Sequence, residues 1–506
     1  MAKKSARKKK TEPGPRILFI TPEISYVSKR LSDDAERLRA KAGGLADVSA
    51  LLVHGLSSAE KDIHLAIPHY RNLFQGDETP HPGKRTRISV GDRIHLAEDC
   101  KFYRRGGVYQ ACKEDLRMSA LAFQRDLINH IIPRVQPDII HCNDWMTGLI
   151  PAEAKKLGIP TLFTIHNIHT QETTLAQLEN TGIQGGDFWD ELYYGNFPQS
   201  FDESYWSNPI DLLASGISAA THVNVVSPTF LDEVAMGHHS AIPPHLSHLL
   251  YHKREAGAAS GIVNAPDRSF TPQVDPYLPQ EYGPRRHHTI KPELKLELQR
   301  RLLLDENPSA PVLFWPSRLD PIQKGCQLLA DILFQIVEDY EHLGLQIVMI
   351  ADGPYRQHFQ GIVAYHELSN RVAVHPFSET LSHLGYGGSD FVLMPSSFEP
   401  CGLPQMIGCR YGSLPIAHAT GGLKDTVRHL NIHENHGNGF LFEHFTSDGF
   451  RWAVDQAMDF YQLPADHKNP QIKRIMEQSK EDFCDERVVQ EYQALYDQLT
   501  ANRATY

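Results

Sequence analysis

The thirty residues Phe398–Val427, FEPCGLPQMIGCRYGSLPIAHATGGLKDTV, place a carboxylate near their start, Glu399, a glycine three residues on, Gly402, and a glycine pair further along, Gly421-Gly422. Glu399 follows an apolar run that reads as a strand, Gly402 opens a helical pattern, and a second apolar run leads to the pair. In a parallel α/β sheet, loops of this kind line up along the carboxyl edge of the strands. Free backbone N–H groups at helix starts there favour an anion, phosphate above all. One carboxylate beside a diphosphate site implies a nucleotide-linked substrate whose non-phosphate end reacts.

Arg318 and Lys324 lie in PSRLDPIQKG, after the first strand of a second α/β block. Two cations separated by a turn can grip a diphosphate without a metal ion, and the same loop reads equally as a charged sheet edge. Gly402 and Gly421-Gly422 at the same edge favour the phosphate reading. Earlier in the chain, KAGGLADV sets Lys41 before Gly43-Gly44 at a helix start. The glycines admit close backbone approach and the lysine offers a point charge. It is neither a Walker sequence nor GxGxxG, and a Gly-Gly helix start alone is often only a turn. His166-Asn167 end TLFTIH, and Asp144 lies in HCNDW at the end of another strand. Two polar clusters at strand ends within one block favour a cleft over buried core histidines. No Ser/His/Asp arrangement is evident, and the paired carboxylates of a glycosidase cannot be assigned.

Positioning these residues takes two blocks of alternating strand and helix. Strands are expected at Arg16–Thr21, Ile63–Ile67, Asp138–His141, Thr161–Ile165 and Val223–Val226, with a helix at Gly44–Leu56. The second block has strands at Val312–Trp315, Gln346–Ile350, Val372–His375, Phe391–Met394 and Pro415–Ala417, with helices at Cys326–His342 and Pro404–Tyr411. Repeated alternation predicts parallel sheets wrapped by helices, hence an α/β chain of two doubly wound, Rossmann-like domains facing across a cleft. Gly257–Pro292, rich in Pro, Gly, His and charge, reads as a linker, and Arg487–Leu499 reads as an amphipathic closing helix. The expected organisation is a disordered basic tail at 1–14, an N-terminal domain at 15–290, a C-terminal domain at 291–485 and a closing helix at 486–506 that crosses back to the first domain.

Composition narrows the partners. The 506 residues are 41% hydrophobic and 22% charged, as in a soluble globular protein. No window approaches the ~18 apolar residues of a membrane span. The basic start MAKKSARKKK lacks a following apolar stretch, so no secretory signal is expected. A net charge of −11 argues against a nucleic-acid-binding body. The seven cysteines are scattered without a CxxC pair, which fits a reducing, cytoplasmic location and argues against a zinc site. The adjacent histidine pairs His238-His239 and His287-His288 read as surface residues.

In this order the segments resemble the bacterial glycogen synthases and plant starch synthases that use ADP-glucose. KAGGLADV, DIIHCNDW, TIHN, VSPTF, GIVNAPDRSFTPQVDPYL, SRLDPIQKG, FEPCGLPQ, YGSLPIAHATGGLKDTV and DFCDERVVQEYQALY carry the resemblance, which spans Arg16 to Leu499. It implies a GT-B fold and retaining, metal-independent transfer of glucose from ADP-glucose, the donor substrate, to the non-reducing end of an α-1,4-glucan such as glycogen, with no cofactor. By the resemblance Lys41, Gly43 and Gly44 meet the donor's phosphates and sugar. Arg318 and Lys324 hold the diphosphate, aided by the backbone at Gly402, Leu403, Gly421 and Gly422. Glu399 stands beside the transferred glucose, His166 lines the same pocket, and Asp144 touches sugar or acceptor. The chain departs from the family at the inserted, charged and helical-looking segment Tyr26–Ala40, at Pro404 where Thr is common, at Asn143 in place of a second His, and at Ala265-Pro266. Two alternatives stand beside this reading: a GT-B transferase with another nucleotide sugar or acceptor, and a catalytically silent glucan-binding homologue.

Overall fold

A computed structural model of the chain describes residues 14–32, 37–71, 74, 91–103 and 107–503. The basic run at the start lies outside them. The chain forms two compact units, one of Met1–Asn224 with Val489–Tyr506, the other of Val225–Val488. Residues 225–290 thus group with the second unit, whereas the sequence reading drew the boundary at 290/291.

In the first unit, β1 (Arg16–Ile20), β2 (Asp62–Pro68), β3 (Ile94–Ala97), β4 (Ile139–Asn143) and β5 (Thr161–Ile165) are followed by a two-residue pair, β6 (Glu172–Thr173) and β7 (Ile210–Asp211), and by β8 (His222–Val225). Six of them lie in one sheet in the order β3-β2-β1-β4-β5-β8, and β1 pairs parallel with both β2 and β4. β4 and β5 are buried along their whole length, so neither shows the polar–apolar alternation of a strand with one solvated face. The terminal helix Asp485–Arg503 is fixed to this unit by polar contacts in a dry setting. Tyr496 Oη lies 2.7 Å from His141 Nδ1, and Asn224 Nδ2 donates to Tyr492 Oη at 2.9 Å. Val489 packs so closely on the helix Gly44–Ser58 that a Cβ on Gly55 would come within 2.3 Å of its Cγ2.

The second unit begins with helices at Pro228–Ala235 and Pro244–Glu255 and the short strand β9 (Ala259–Gly261), and its six-stranded sheet is built on β10 (Val312–Trp315), β11 (Gln346–Ile350), β12 (Val372–His375), β13 (Phe391–Met394), β14 (Leu414–His418) and β15 (Phe440–Phe442). The sheet order is β12-β11-β10-β13-β14-β15, and the five adjacent pairs are parallel. Both sheets are therefore doubly wound, as expected, with reversals of strand order beside β1 and β4 in one and beside β10 and β13 in the other. One apolar core, including Trp315, Leu333, Met406 and Phe450, lies on one side of the second sheet, and another, including Phe314, Leu294, Leu384 and Tyr411, on the other.

Three local expectations are corrected. The stretch read as a linker to Pro292 contains the start of a helix, His287–Leu302, with Pro292 inside it. Within the inserted segment Tyr26–Ala40 the described residues form turns, not an α-helix, and the antiparallel bridge Ile24–Ala40 closes its base. Neither histidine pair is wholly superficial. His287 is buried with Nδ1 2.8 Å from Pro284 O, and His239 Nε2 lies 2.9 Å from Glu233 Oε2.

Candidate active site

Doubly wound sheets bind ligands where the strand order reverses, at the carboxyl ends of the strands. In the second unit the loops that meet there follow β10 and β13. The first carries Arg318 and Lys324, the second Glu399. Lys324 Nζ lies 2.5 Å from Glu399 Oε2, and the two side chains are only 11% and 8% exposed. Ser396 Oγ donates to the same carboxylate oxygen at 3.0 Å. Gly325, in the left-handed region at φ +69°, starts the helix Cys326–Asp339 and approaches Pro395 O so closely that a Cβ there would sit 1.9 Å away. The Lys324 loop is thereby pressed against the Glu399 loop. Arg318 is exposed, and its guanidinium has no partner among the described residues.

The glycine pair serves backbone packing first. Gly422 N donates to Glu399 O at 2.9 Å. A Cβ on Gly421 would lie 2.0 Å from Glu399 O, and one on Gly422 would lie 2.3 Å from Cys401 O. Gly421 N donates to Glu233 Oε2 at 3.0 Å, an oxygen that also accepts from Thr420 Oγ1. Both N–H groups thus have protein acceptors, which moderates the expectation that this pair supplies phosphate donors. Gly402, at φ +75°, and Leu403 lead into the helix Pro404–Tyr411. Their N–H groups have no acceptor among the described residues. Pro404 takes the first helical position, where a missing N–H is tolerated. Gln405 Nε2 ties the turn by donating to Cys401 O and Gly402 O at 3.0 and 2.9 Å. VSPTF acts as a clamp on this edge. Ser227 Oγ donates to Pro400 O at 2.6 Å, and Thr229 Oγ1 donates to Asp425 Oδ1 at 2.6 Å.

In the first unit the reversal lies between β1 and β4. The loop after β1 carries Lys41, Gly43 and Gly44. Lys41 Nζ pairs with Asp47 Oδ2 at 3.0 Å and is 42% exposed. Gly44 begins the helix and Gly43 precedes it in extended conformation. Glu23, which the sequence reading did not single out, occupies this turn. Its Oε2 accepts from Ala42 N at 2.7 Å and Gly43 N at 2.9 Å, and its Oε1 accepts from Tyr109 Oη at 2.9 Å. Burial raises the Glu23 carboxyl, against the pull of those donors. A ligand phosphate at Gly43 N would have to displace this carboxylate.

After β4, Asp144 is held at φ 58°, ψ 178°, rare for a non-glycine residue, and is 3% exposed. Its Oδ1 accepts from His166 N at 2.7 Å. Burial pushes its carboxyl up to about 7; the His166 and Asn167 N–H groups oppose that and Glu23 adds to it. His166 Nε2 lies 3.0 Å from Asn143 Oδ1, and burial drives its imidazole down to about 3, so the ring is neutral near pH 7. The structure therefore gathers Lys324 with Glu399 in the second unit, and Asp144 with His166 in the first. His141, in contrast, lies in the core: its Nε2 is 2.8 Å from Thr164 Oγ1 and its Nδ1 meets Tyr496. No cluster of three or more His, Cys, Asp or Glu side chains suited to a metal occurs among the described residues.

Comparison with known proteins bears on this geometry. Residues 16–244 match the family described as starch synthase catalytic domain, and residues 303–474 match glycosyl transferases group 1. The chain is similar to the glycogen synthase of Desulforamulus reducens at 31% identity, covering 91% of this chain and 96% of that one. It is 32% identical to the glycogen synthase of Nitrosomonas europaea, covering 88% and 91%. Among solved structures, the catalytic domain of starch synthase IV from Arabidopsis thaliana, bound to ADP and acarbose, superposes with a TM-score of 0.77 at 25% identity and covers 96% of this chain and all of that one. Sucrose-phosphate synthase from Thermosynechococcus elongatus, at 17% identity and a TM-score of 0.59, shares the fold.

Proposed function

The chain belongs to the glycogen and starch synthase family of GT-B glycosyltransferases, and from that premise we propose that it transfers glucose, with retention, from ADP-glucose to the non-reducing end of an α-1,4-glucan. The observation that supports this most is the buried Lys324–Glu399 pair at the strand-order reversal of the second sheet. As the bond from the anomeric carbon to the diphosphate breaks, negative charge grows on phosphate and positive charge on the sugar. Glu399 stabilises the sugar side. Arg318 and Lys324 take the diphosphate side, together with the N–H groups of Gly402 and Leu403. Such groups act because they are oriented before the reaction and shielded from water. Lys324 then shifts part of its interaction from Glu399 to the departing phosphate, which frees the carboxylate's charge as the cationic sugar develops.

In the first unit, neutral His166 offers a hydrogen bond to a sugar hydroxyl, and Asp144 a carboxyl that exchanges its proton near neutral pH. Lys41 and the Gly43-Gly44 turn serve the donor through the lysine's charge and close backbone approach, while Glu23 keeps the Ala42 and Gly43 N–H groups and holds the turn in shape. No metal or cofactor takes part in this reading, and all seven cysteines are free thiols, which suits a cytoplasmic setting. The test is purified protein with glycogen and either ADP-glucose or UDP-glucose, following nucleotide release. Release from ADP-glucose is expected; release from UDP-glucose alone would reassign the donor, and release from neither would refute the proposal.

A further inference from the structure

The first unit displays a second feature that the transfer chemistry does not use. Between β6 and β7 the chain returns as a hairpin, bridged at Tyr194–Ile210, with Gly195 N donating to Pro209 O at 2.7 Å. Asn208 locks its neck in both directions: Oδ1 accepts from Asn196 N at 3.0 Å, and Nδ2 donates to Asn196 O at 2.8 Å. Beyond that lock the tip presents Phe197, 84% exposed, and Trp206, 74% exposed. These are among the most exposed large apolar side chains of the protein.

The tip is firmly built. Trp206 stands edge-on to Tyr205, with ring centroids 4.8 Å apart at 84°, and Tyr205 packs on Phe201 at 5.5 Å. Tyr205 is itself anchored. Its hydroxyl donates to Glu179 Oε2 at 3.0 Å, and its carbonyl accepts from Ala176 N at 3.0 Å. A ring held as Trp206 is binds with little loss of conformational freedom. Large exposed aromatic groups mark binding surfaces.

Charge selects the occupant. No lysine or arginine occurs between Lys156 and Lys253, and the tip carries exposed Asp202, Glu203 and Gln199. Such a surface repels nucleic acid and anionic lipid, both of which need cations. It suits a neutral polyol. The C–H face of a pyranose covers an aromatic ring, and carboxylate and amide groups accept and donate to its equatorial hydroxyls.

We propose that Phe197 and Trp206 form a glucan-binding platform separate from the transfer site, which holds a polymeric acceptor by its chain. The inference rests on the glucan acceptor proposed above. A second point of attachment raises the effective concentration of chain ends for polymer but gives nothing to an acceptor too short to span both sites.

The test is affinity electrophoresis in gels with and without glycogen, for wild type, Phe197→Ala/Trp206→Ala and Trp206→Phe, alongside KM values for glycogen and for maltotetraose. Both side chains are exposed, so the variants retain the fold. Expected are a several-fold loss of glycogen retardation in the double alanine variant, a KM for glycogen raised about three- to tenfold as one avidity contact is lost, an unchanged KM for maltotetraose, and retention restored by Trp206→Phe. Retardation is read without turnover, so its loss supports the platform even if no nucleotide sugar is consumed. Unchanged retardation and glycogen KM overturn it. A drop in solution mass in the double variant with glycogen retardation unaltered also overturns it, and assigns the patch to contact between copies of the chain.

Discussion

Lys324 and Glu399, 75 residues apart in the chain, meet at 2.5 Å in a setting where neither is more than about a tenth exposed. Removing one partner strands the other charge in a poorly solvated place, at a cost of about 3–5 kcal/mol. Lys324→Met is therefore expected to lower unfolding free energy in urea by that order, and Lys324→Met/Glu399→Gln by clearly less. Equal losses in single and double variants would show that the pair is not coupled.

Glu23 makes a second prediction, centred on the turn before the helix Gly44–Ser58. Hydrogen bonds to a charged group contribute about 1.5–3 kcal/mol each. Glu23→Ala removes the acceptor of Ala42 N and Gly43 N. Amide exchange at Ala42 and Gly43 should accelerate, and the KM for the nucleotide sugar should rise about tenfold or more, the equivalent of 1.4 kcal/mol. Faster exchange with an unchanged KM would separate this turn from donor binding.

Asp144 sets a pH dependence of stability. Its carboxyl titrates at about 7 in the folded protein and at 3.8 when unfolded. Between these values the folded state binds more protons than the unfolded one, so this residue's contribution weakens as pH rises from 4 to 7 and is constant above. His166 acts oppositely, since its depressed folded value makes the protein less stable as pH falls below about 6.5. Asp144→Asn deletes only the first effect. The melting temperature of Asp144→Asn relative to wild type should be several degrees higher at pH 8 than at pH 5. A constant difference across that range would contradict a raised Asp144.

Gly422→Ala tests how the Glu399 loop is held. The added Cβ would lie 2.3 Å from Cys401 O, so the backbone on one side must move. A loss of about 1–3 kcal/mol in stability is expected, with a fall in turnover because the moved segment carries Glu399. Wild-type turnover would show that the placement of Glu399 does not depend on this contact.

Much of the framework was legible in the sequence, for a physical reason. Strands of a parallel sheet buried on both faces read as largely apolar runs, so Thr161–Ile165, Val312–Trp315, Gln346–Ile350 and Phe391–Met394 match the structure end to end, as does the half-buried edge strand Val372–His375. The helix His287–Leu302 was illegible because its buried face includes lysines. Lys291 Nζ donates to Gly387 O, Tyr411 O and Ser413 Oγ at 2.9–3.0 Å, and Lys295 Nζ pairs with Asp390 at 2.7 Å. Charge there mimics a solvated stretch, and Pro292 adds a false stop. At the site, residue types were legible and partners were not. Glu399 and Lys324 stood out singly, while the contact between them, and the use of Gly43 N and Gly421 N by Glu23 and Glu233, depend on loops brought together only by the sheets.

The central claim is that Glu399 supports glucosyl transfer. The most direct measurement is incorporation of labelled glucose from ADP-glucose into glycogen by wild type, Glu399→Ala and Lys324→Ala, each verified as folded by circular dichroism. Incorporation by wild type and a loss of a hundredfold or more in each variant are predicted, about 3–4 kcal/mol of barrier per preorganised group. Turnover by Glu399→Ala within a few-fold of wild type would contradict the account.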